Sequence, residues 1–238
     1  MKVLAKGKRF WRILLDVLFP RTCVICQKPL GTDSSYDHVC DRCSSSIVWT
    51  DAQESENLFS RYKREAAERG QKTFFNRGMT CWEHSGTARQ LILAMKYKGG
   101  NFLIRDIIAM IKQSGHHVLN FVKDSLLVPV PTHYFKRVQR DYSQTELIAD
   151  SLSHYAGVPV AKRLLACKNH GAQTNLTTEE RLLNVKNIFR CNANDIDKFT
   201  RIVIVDDVIT TGATLFACCA AMHRRGFRDV NILTLSHS

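Results

Sequence analysis

An apolar strand pattern, two acidic residues and a threonine-rich turn follow one another in residues 203–214, VIVDDVITTGAT. The branched apolar run within 201–206 predicts a buried parallel strand, because strands covered on both faces are continuously apolar. A helix is predicted over 212–225 and ends at Gly226, since glycine is favoured just after a helix C-terminus. Helix N-termini bind phosphate groups through their unpaired N–H groups and the positive end of the helix dipole. The segment therefore predicts a phosphate-binding loop.

The side chains of this segment suit a phosphorylated ribose. Gly212 lets the backbone approach a ligand closely, and threonine hydroxyls can donate hydrogen bonds to phosphate oxygens. Asp206 and Asp207 can accept hydrogen bonds from the vicinal hydroxyls that a ribose 5-phosphate would present there. The predicted loop residues are Val208, Ile209, Thr210, Thr211, Gly212, Ala213 and Thr214. The alternative is an acidic strand end followed by an ordinary threonine-rich turn.

Strand and helix patterns alternate through most of the chain, which predicts an α/β fold with a mostly parallel sheet flanked by helices. The other predicted strands cover 78–84, 126–130, 160–166 and 230–235. The other predicted helices cover 87–97, 102–113, 143–153 and 177–187. Ligands of such sheets bind at the carboxyl ends of the strands, so the loop after residue 205 is the first place to look for a site.

A second candidate anion site is the basic loop that follows the strand predicted over 126–130. Its cationic and histidine side chains are His133, Lys136, Arg137 and Arg140. Arginine forms bidentate contacts with phosphate groups, and Mg²⁺ bridges the oxygens of a bound pyrophosphate. We therefore predict that this loop can contact phosphate groups. The alternative is a solvated basic loop.

Two C-x-x-C pairs, Cys23 with Cys26 and Cys40 with Cys43, are separated by thirteen residues of turn-rich sequence. Four thiolates at this spacing suit tetrahedral Zn²⁺ in a closed structural site, which predicts a zinc ribbon over residues 21–49. Two disulfides are the alternative. They are disfavoured because no secretory signal is evident, so a reducing cytoplasm is the expected compartment.

Composition sets the remaining expectations. The 238 residues carry 34 Lys and Arg against 22 Asp and Glu, and the net charge of +12 favours polyanionic partners such as nucleic acid. The 45% apolar content excludes wholesale disorder, and no apolar run reaches the ~18 residues of a membrane span. We predict an amphipathic helix over residues 1–20, a linker over 50–76 and the α/β domain over 77–238. An exposed helix is the alternative for residues 50–72.

The chain resembles the type I phosphoribosyltransferases and, more narrowly, the ComF family of bacterial competence proteins. That family joins an N-terminal zinc ribbon to a phosphoribosyltransferase-like domain. The matching segments occur in the family's order, at 96–99, 129–131, 137, 140–144, 173, 176, 181, 184, 189 and 206–214. One departure lies at 140–144, where the chain has RDYSQ and the family usually has R-G-F-N-Q.

The resemblance implies binding of phosphoribosyl pyrophosphate with Mg²⁺. It implies that the basic loop after residue 130 contacts the pyrophosphate, and that Lys168 can add to this contact because segment 168–178 corresponds to a mobile lid in true transferases. The alternative for Lys168 is a polar surface loop. The resemblance also implies that the phosphate-binding loop holds the 5-phosphate and that Asp206 and Asp207 meet the ribose hydroxyls. It further implies a role in natural transformation, with single-stranded DNA and a helicase or translocation component of the DNA-uptake machinery as partners. The expected place is the cytoplasm or the inner membrane surface.

Turnover would make the protein a glycosyltransferase, and the acceptor stays open. Two other functions also stay open. One is a non-catalytic nucleic-acid-binding module with a relic nucleotide pocket, and the other is a salvage or amidophosphoribosyl enzyme.

Overall fold

The computed structural model describes residues 21–31, 33–97, 100–114, 117–131, 143–167, 188–193 and 201–238. The strands are β1 Gly78–Glu83, β2 Leu126–Pro129, β3 Leu165–Cys167, β4 Phe189–Cys191, β5 Ile202–Ile209 and β6 Val230–His237. The helices are α1 Asp41–Ser44, α2 Ala52–Glu68, α3 Gly86–Tyr97, α4 Leu103–Gln113, α5 Val118–Val122, α6 Gln144–Ala156 and α7 Ala213–Arg224. None of the helices in these ranges is both long and apolar enough to cross a bilayer.

The main sheet has four parallel strands in the order β1–β6–β5–β2. β5 is central, and its successive apolar residues pack into two separate cores, Val203 and Val205 on one side and Ile202 and Ile204 on the other. This burial on both faces explains the continuous apolar run. The predicted mostly parallel α/β fold is confirmed.

β5 is longer than the sequence pattern predicted. We expected the strand to end at Asp206, but its pairing with β6 continues to the partners Val208–Ser236 and Ile209–His237. The ladder therefore carries both acidic residues within the strand. An apolar pattern could not show this, because the partner strand supplies the hydrogen bonds that extend β5 past its apolar run.

Residues 50–76, for which we predicted a linker, contain the 17-residue helix α2. A reciprocal capping box starts it, since the Asp51 carboxylate accepts from Glu54 N–H at 2.7 Å and the Glu54 carboxylate accepts from Asp51 N–H at 2.8 Å. The helix buries a narrow stripe formed by Ser55, Leu58, Phe59, Tyr62 and Ala66. Of the two alternatives for this segment, a helix is present, and it is not exposed on every side, because the polar average of the segment hides an apolar stripe at helical spacing.

The cysteine-containing module, residues 21–49, docks on the sheet domain through a buried acid. The Asp106 carboxylate on α4 is 3% exposed and accepts hydrogen bonds from the N–H groups of Asp37 at 3.3 Å and His38 at 2.8 Å. Beside it, Tyr36 O–H donates to the Gln113 side chain at 2.6 Å. The module is therefore held against α4 by specific hydrogen bonds and is not a separate arm.

A second contact joins the end of this module to the sheet. Trp49 forms an antiparallel bridge with Trp82 of β1, and Thr50 N–H donates to Cys81 C=O at 2.9 Å.

The predicted strand over 160–166 is only partly present, because residues 162–164 form a turn. β3 follows that turn and pairs antiparallel with β4 in a separate two-stranded sheet.

Candidate functional site

The predicted phosphate loop, residues 208–214, comprises the last two residues of β5, the turn that follows and the first residues of α7, at the carboxyl edge of the sheet. It surrounds a cavity of about 50 Å³ lined by Asp206 and residues 208–215. Gly212 has φ +74°, and a Cβ added there would lie 2.4 Å from the Phe216 ring. Only glycine fits this position, because both the backbone angle and the ring exclude a side chain.

Several loop groups point to an anion site. Thr210, Thr211 and Thr214 are exposed. Within the described part of the chain, the N–H groups of Thr210, Thr211 and Gly212 have no hydrogen-bond partner, and Ala213 N–H makes only a 3.5 Å contact with the Thr211 hydroxyl. These amides stand at the start of a 12-residue helix, where an anion is stabilised by N–H donors and the helix dipole.

The two acidic residues before the loop have different surroundings. Asp206 Oδ1 accepts a hydrogen bond from Asp207 N–H at 2.9 Å. Asp207 Oδ2 lies 2.8 Å from Lys96 Nζ, and the side chains of Lys96 and Asp207 are 22% and 14% exposed. Lys96 reaches the site from the last turn of α3. The site therefore contains an enclosed cation that balances one of its two negative charges.

His84, just after β1, lies near the Lys96–Asp207 ion pair at the carboxyl edge of the sheet. Its Nδ1 lies 3.0 Å from the Ser236 hydroxyl of β6. Burial lowers the pKa of His84 below its usual value, the charges of Lys96 and Arg89 act in the same direction, and Asp207 opposes them. These surroundings favour the neutral form of the imidazole. Sequence reasoning gave neither His84 nor Lys96 a role, although Lys96 belongs to a segment that carries the family resemblance.

A larger cavity of about 480 Å³ lies where the module, α2 and the sheet meet, and we call it the seam cavity. Its lining residues are Val48, Trp49, Thr50, Glu54, Asn57, Leu58, Arg61, Arg64, Glu83 and His237. They include cationic and acidic groups as well as an indole ring, and the volume is in the range of small-molecule sites. His237 pairs with Ile209 of β5, so the seam cavity is one strand away from the phosphate loop.

The predicted pyrophosphate residues His133, Lys136, Arg137 and Arg140 lie outside the described residues. So do Lys168, the helix predicted over 1–20 and the helix predicted over 177–187. The chain is described up to Pro131, after Val130 N–H has donated to Val205 C=O at 2.9 Å. The basic segment therefore follows a strand end that adjoins β5 directly before Asp206.

The four cysteines of the two C-x-x-C pairs come together, with all four sulfur atoms within 4.8 Å of one another. Cys26 Sγ and Cys40 Sγ are 3.7 Å apart. A tetrahedron with metal–sulfur bonds of ~2.3 Å has edges of about 3.8 Å, so the cluster has the dimensions of a four-thiolate metal site. The geometry fits a metal ion held by Cys23, Cys26, Cys40 and Cys43.

Two thiols of this cluster, Cys23 and Cys43, differ in how easily they ionise. Burial opposes ionisation of Cys23, but hydrogen bonds from the backbone of Cys26, Cys40 and Ile25 and from the Cys26 thiol lower its pKa to about 7. Burial and the neighbouring thiols raise the pKa of Cys43. A metal cation would supply the positive charge that all four thiolates need.

Comparison with known proteins identifies a matching family and several relatives of this chain. The family model described as phosphoribosyl transferase domain matches residues 94–237. A protein named Competence protein F from Haemophilus influenzae is 28% identical over 114 residues, 47% of this chain and 50% of the relative. Competence protein ComFC from Bacillus subtilis is 30% identical over 117 residues, 49% of this chain and 46% of the relative. The chain thus spans about half the length of these curated relatives.

Solved structures resemble the chain only distantly. A crystal structure of adenine phosphoribosyltransferase is 18% identical, with a TM-score of 0.32, and the match covers 64% of this chain and 71% of that one. A similarity at this level carries no argument about ligands. The residues of the site are therefore interpreted from their own geometry.

Proposed function

Because the chain belongs to the phosphoribosyl transferase domain family, we propose that it binds phosphoribosyl pyrophosphate, or a related phosphorylated ribose, at the carboxyl edge of its sheet. The relatives named as competence proteins, the family model and the four-cysteine cluster fit a member of the ComF family, as the sequence resemblance implied. The observation that carries the binding proposal is the loop after the two carboxylates, in which the N–H groups of residues 210–212 have no partner among the residues that the structure describes.

Each part of the donor has a place in this arrangement. The N–H groups and hydroxyls of residues 210–214 hold the 5-phosphate, and Asp206 and Asp207 accept hydrogen bonds from the ribose hydroxyls. The residues proposed to hold the pyrophosphate are His133, Lys136, Arg137, Arg140 and Lys168. Mg²⁺ bound with the pyrophosphate oxygens would neutralise part of their charge.

Transfer from this donor is a displacement at the anomeric carbon. The bond from that carbon to the pyrophosphate oxygen breaks, the oxygen keeps the electron pair, and the acceptor nucleophile forms the new bond. The basic segment after Pro131 would stabilise the departing charge. We place the acceptor in the seam cavity, because its volume suits a small molecule and His237 brings it one strand from the loop.

The wider role we propose is in natural competence, with single-stranded DNA and DNA-uptake proteins as partners, in the cytoplasm or at the inner membrane surface. The relatives' names and the net charge of +12 support it. We further propose that the ion of the four-cysteine cluster is structural Zn²⁺, whose tetrahedral thiolate geometry the sulfur atoms match.

Thermal unfolding with phosphoribosyl pyrophosphate and Mg²⁺ tests donor binding. At a ligand concentration one hundred times Kd the folded protein should gain about 2.7 kcal/mol of stability. The double variant Asp206→Ala, Asp207→Ala should lose this gain. Asp150→Ala, which removes a half-exposed acid on α6, is the matched control and should keep it. Equal stabilisation of all three proteins would contradict the assignment of the acids.

Titration with single-stranded DNA at several salt concentrations tests the DNA role. If lysines and arginines contact phosphates, log K should fall linearly with log salt, with a slope of about −0.7 for each phosphate neutralised. Arg64→Ala on α2 should reduce the slope if this exposed side chain, which has no partner among the described residues, belongs to the DNA surface. A slope near zero in the wild-type protein would reject DNA binding through phosphates.

A further inference from the structure

We propose that Lys96 is a positioning residue of the sugar site, which holds the Asp207 carboxylate so that its second oxygen can accept a hydrogen bond from a ribose hydroxyl. This rests on the proposed function, because it assumes that a ribose reaches Asp207. Lys96 lies on α3, outside the strand and loop that form the rest of the site. It is therefore a residue that only the tertiary structure brings to the donor.

The environment of the ion pair sets it apart from a surface pair. Lys96 Nζ and Asp207 Oδ2 are 2.8 Å apart, with side chains 22% and 14% exposed. Lys162 Nζ and Asp150 Oδ2 are nearly the same distance apart, 2.7 Å, but those side chains are 45% and 42% exposed. Solvent and salt screen the second pair more strongly than the first. The enclosed pair can therefore fix a carboxylate in one orientation.

The two oxygens of Asp207 have separate tasks in this arrangement. Oδ2 is held by Lys96, while Oδ1 has no hydrogen-bond partner in the part of the chain that the structure describes. A carboxylate held at one oxygen and open at the other loses little conformational freedom when a hydroxyl binds. The Lys96 cation also offsets part of the electrostatic repulsion between Asp207 and the adjacent Asp206.

The histidine next to this pair provides a direct reporter. The Lys96 charge is one of the causes that lower the pKa of His84, together with burial and Arg89, and Asp207 acts in the opposite sense. Removing the Lys96 charge should therefore raise the pKa of His84. A Lys96 side chain held away from the acidic pair and from His84 would leave the imidazole titration unchanged, so the titration reports where the cation lies.

Calorimetric titration with two probes separates the effect of Lys96 on binding of the ribose hydroxyls from any effect on binding of the phosphate. Ribose 5-phosphate carries the ribose hydroxyls, whereas ethyl phosphate offers the loop a phosphate monoester without them. Lys96→Met should weaken ribose 5-phosphate binding about tenfold, a loss of 1.4 kcal/mol, and change ethyl phosphate binding less than about twofold. Lys96→Arg, which keeps the charge, should bind ribose 5-phosphate within about threefold of wild type. Lys162→Met is the matched control and should not change either affinity.

The possible outcomes discriminate between the claims. An equal loss for both probes, or a loss that Lys96→Arg does not reverse, overturns the positioning role. An unchanged His84 titration in Lys96→Met, followed by NMR, also overturns it, and this measurement needs no ligand. If Lys96→Met does not fold, Lys96→Arg must keep the preference for ribose 5-phosphate over ethyl phosphate. If the wild-type protein binds neither probe, the proposed function itself fails.

Discussion

The phosphate loop and the seam cavity lie one strand apart on the same edge, but they are built in opposite ways. The loop cavity is lined by Asp206 and residues 208–215, a nearly continuous stretch of chain. The seam cavity collects residues from the cysteine module, from α2 and from the ends of β1 and β6. A continuous site depends on local backbone geometry, whereas a composite site depends on how distant segments dock. Substitutions can therefore affect one site and leave the other intact.

Loss of the proposed zinc ion should have the largest effect on stability. The effect should be confined to the cysteine-containing module and the seam cavity. Cys26→Ala removes one of the four ligands and should destabilise the module by about 3 kcal/mol or more, because small structural zinc sites contribute ~10–16 kcal/mol. Hydrogen exchange at 48–50 should accelerate while ribose 5-phosphate affinity stays within about threefold. Cys167→Ala, outside the cluster, should keep one metal ion per chain by elemental analysis. A variant of Cys26 that retains the ion would contradict the four-thiolate site.

Gly212→Ala tests the phosphate loop and should have the next largest effect. The variant combines a left-handed residue with a clash against Phe216 and should cost about 3 kcal/mol, while sugar phosphate binding falls more than tenfold. Gly70→Ala is the matched control, since Gly70 has φ +67° but open space around the added Cβ, and should cost only about 1 kcal/mol. Equal losses in the two variants, measured by denaturant unfolding, would show that the Phe216 contact does not matter.

Asp106→Ala tests the docking on which the seam cavity depends. The change leaves the N–H groups of Asp37 and His38 without their acceptor in a buried place, which should cost about 2 kcal/mol. Amide hydrogen exchange should accelerate in the module and at residues 48–50, and the phosphate loop should keep its affinity for ribose 5-phosphate. Asp150→Ala removes a half-exposed acid and should cost less than about 0.5 kcal/mol. Loss of loop affinity in Asp106→Ala would mean that the two sites are coupled.

Acidic pH should lower the stability of the folded protein through two partly buried histidines, one near each site. This is the smallest expected effect. Burial lowers the pKa of His84 beside the acidic pair and of His237 in the seam cavity. Their contribution to stability is therefore complete above the unfolded-state pKa of about 6.5 and is lost as the pH falls through the lower folded-state values. His84→Gln and His237→Gln should each flatten the fall in Tm below neutral pH, and His154→Gln on the exposed face of α6 should not. Unchanged profiles in the first two variants would refute their burial as neutral groups.

The contrast between the sites explains which predictions came from sequence and which did not. The strand, the acids, the glycine turn and the helix of the proposed phosphate loop could be located from sequence because they are consecutive, so local rules were sufficient to indicate them. The four-cysteine cluster was predictable for the same reason, since each pair is local and the ligand geometry is standard. Lys96 was not, because nothing near residue 96 reveals that α3 ends beside β5. The burial of α2 was also missed, since its apolar stripe is narrow and its partners are distant.

The amino-acid sequence determined the α/β class, the loop at the end of β5 and the grouping of the cysteines, because each follows from periodicity or from short-range spacing. Only the tertiary structure decided that Asp207 is paired with Lys96, that Asp106 anchors the module and that the module, α2 and the ends of β1 and β6 enclose the seam cavity. The physical reason is that such contacts depend on the packing of elements far apart in the chain, and no local preference specifies which partners meet.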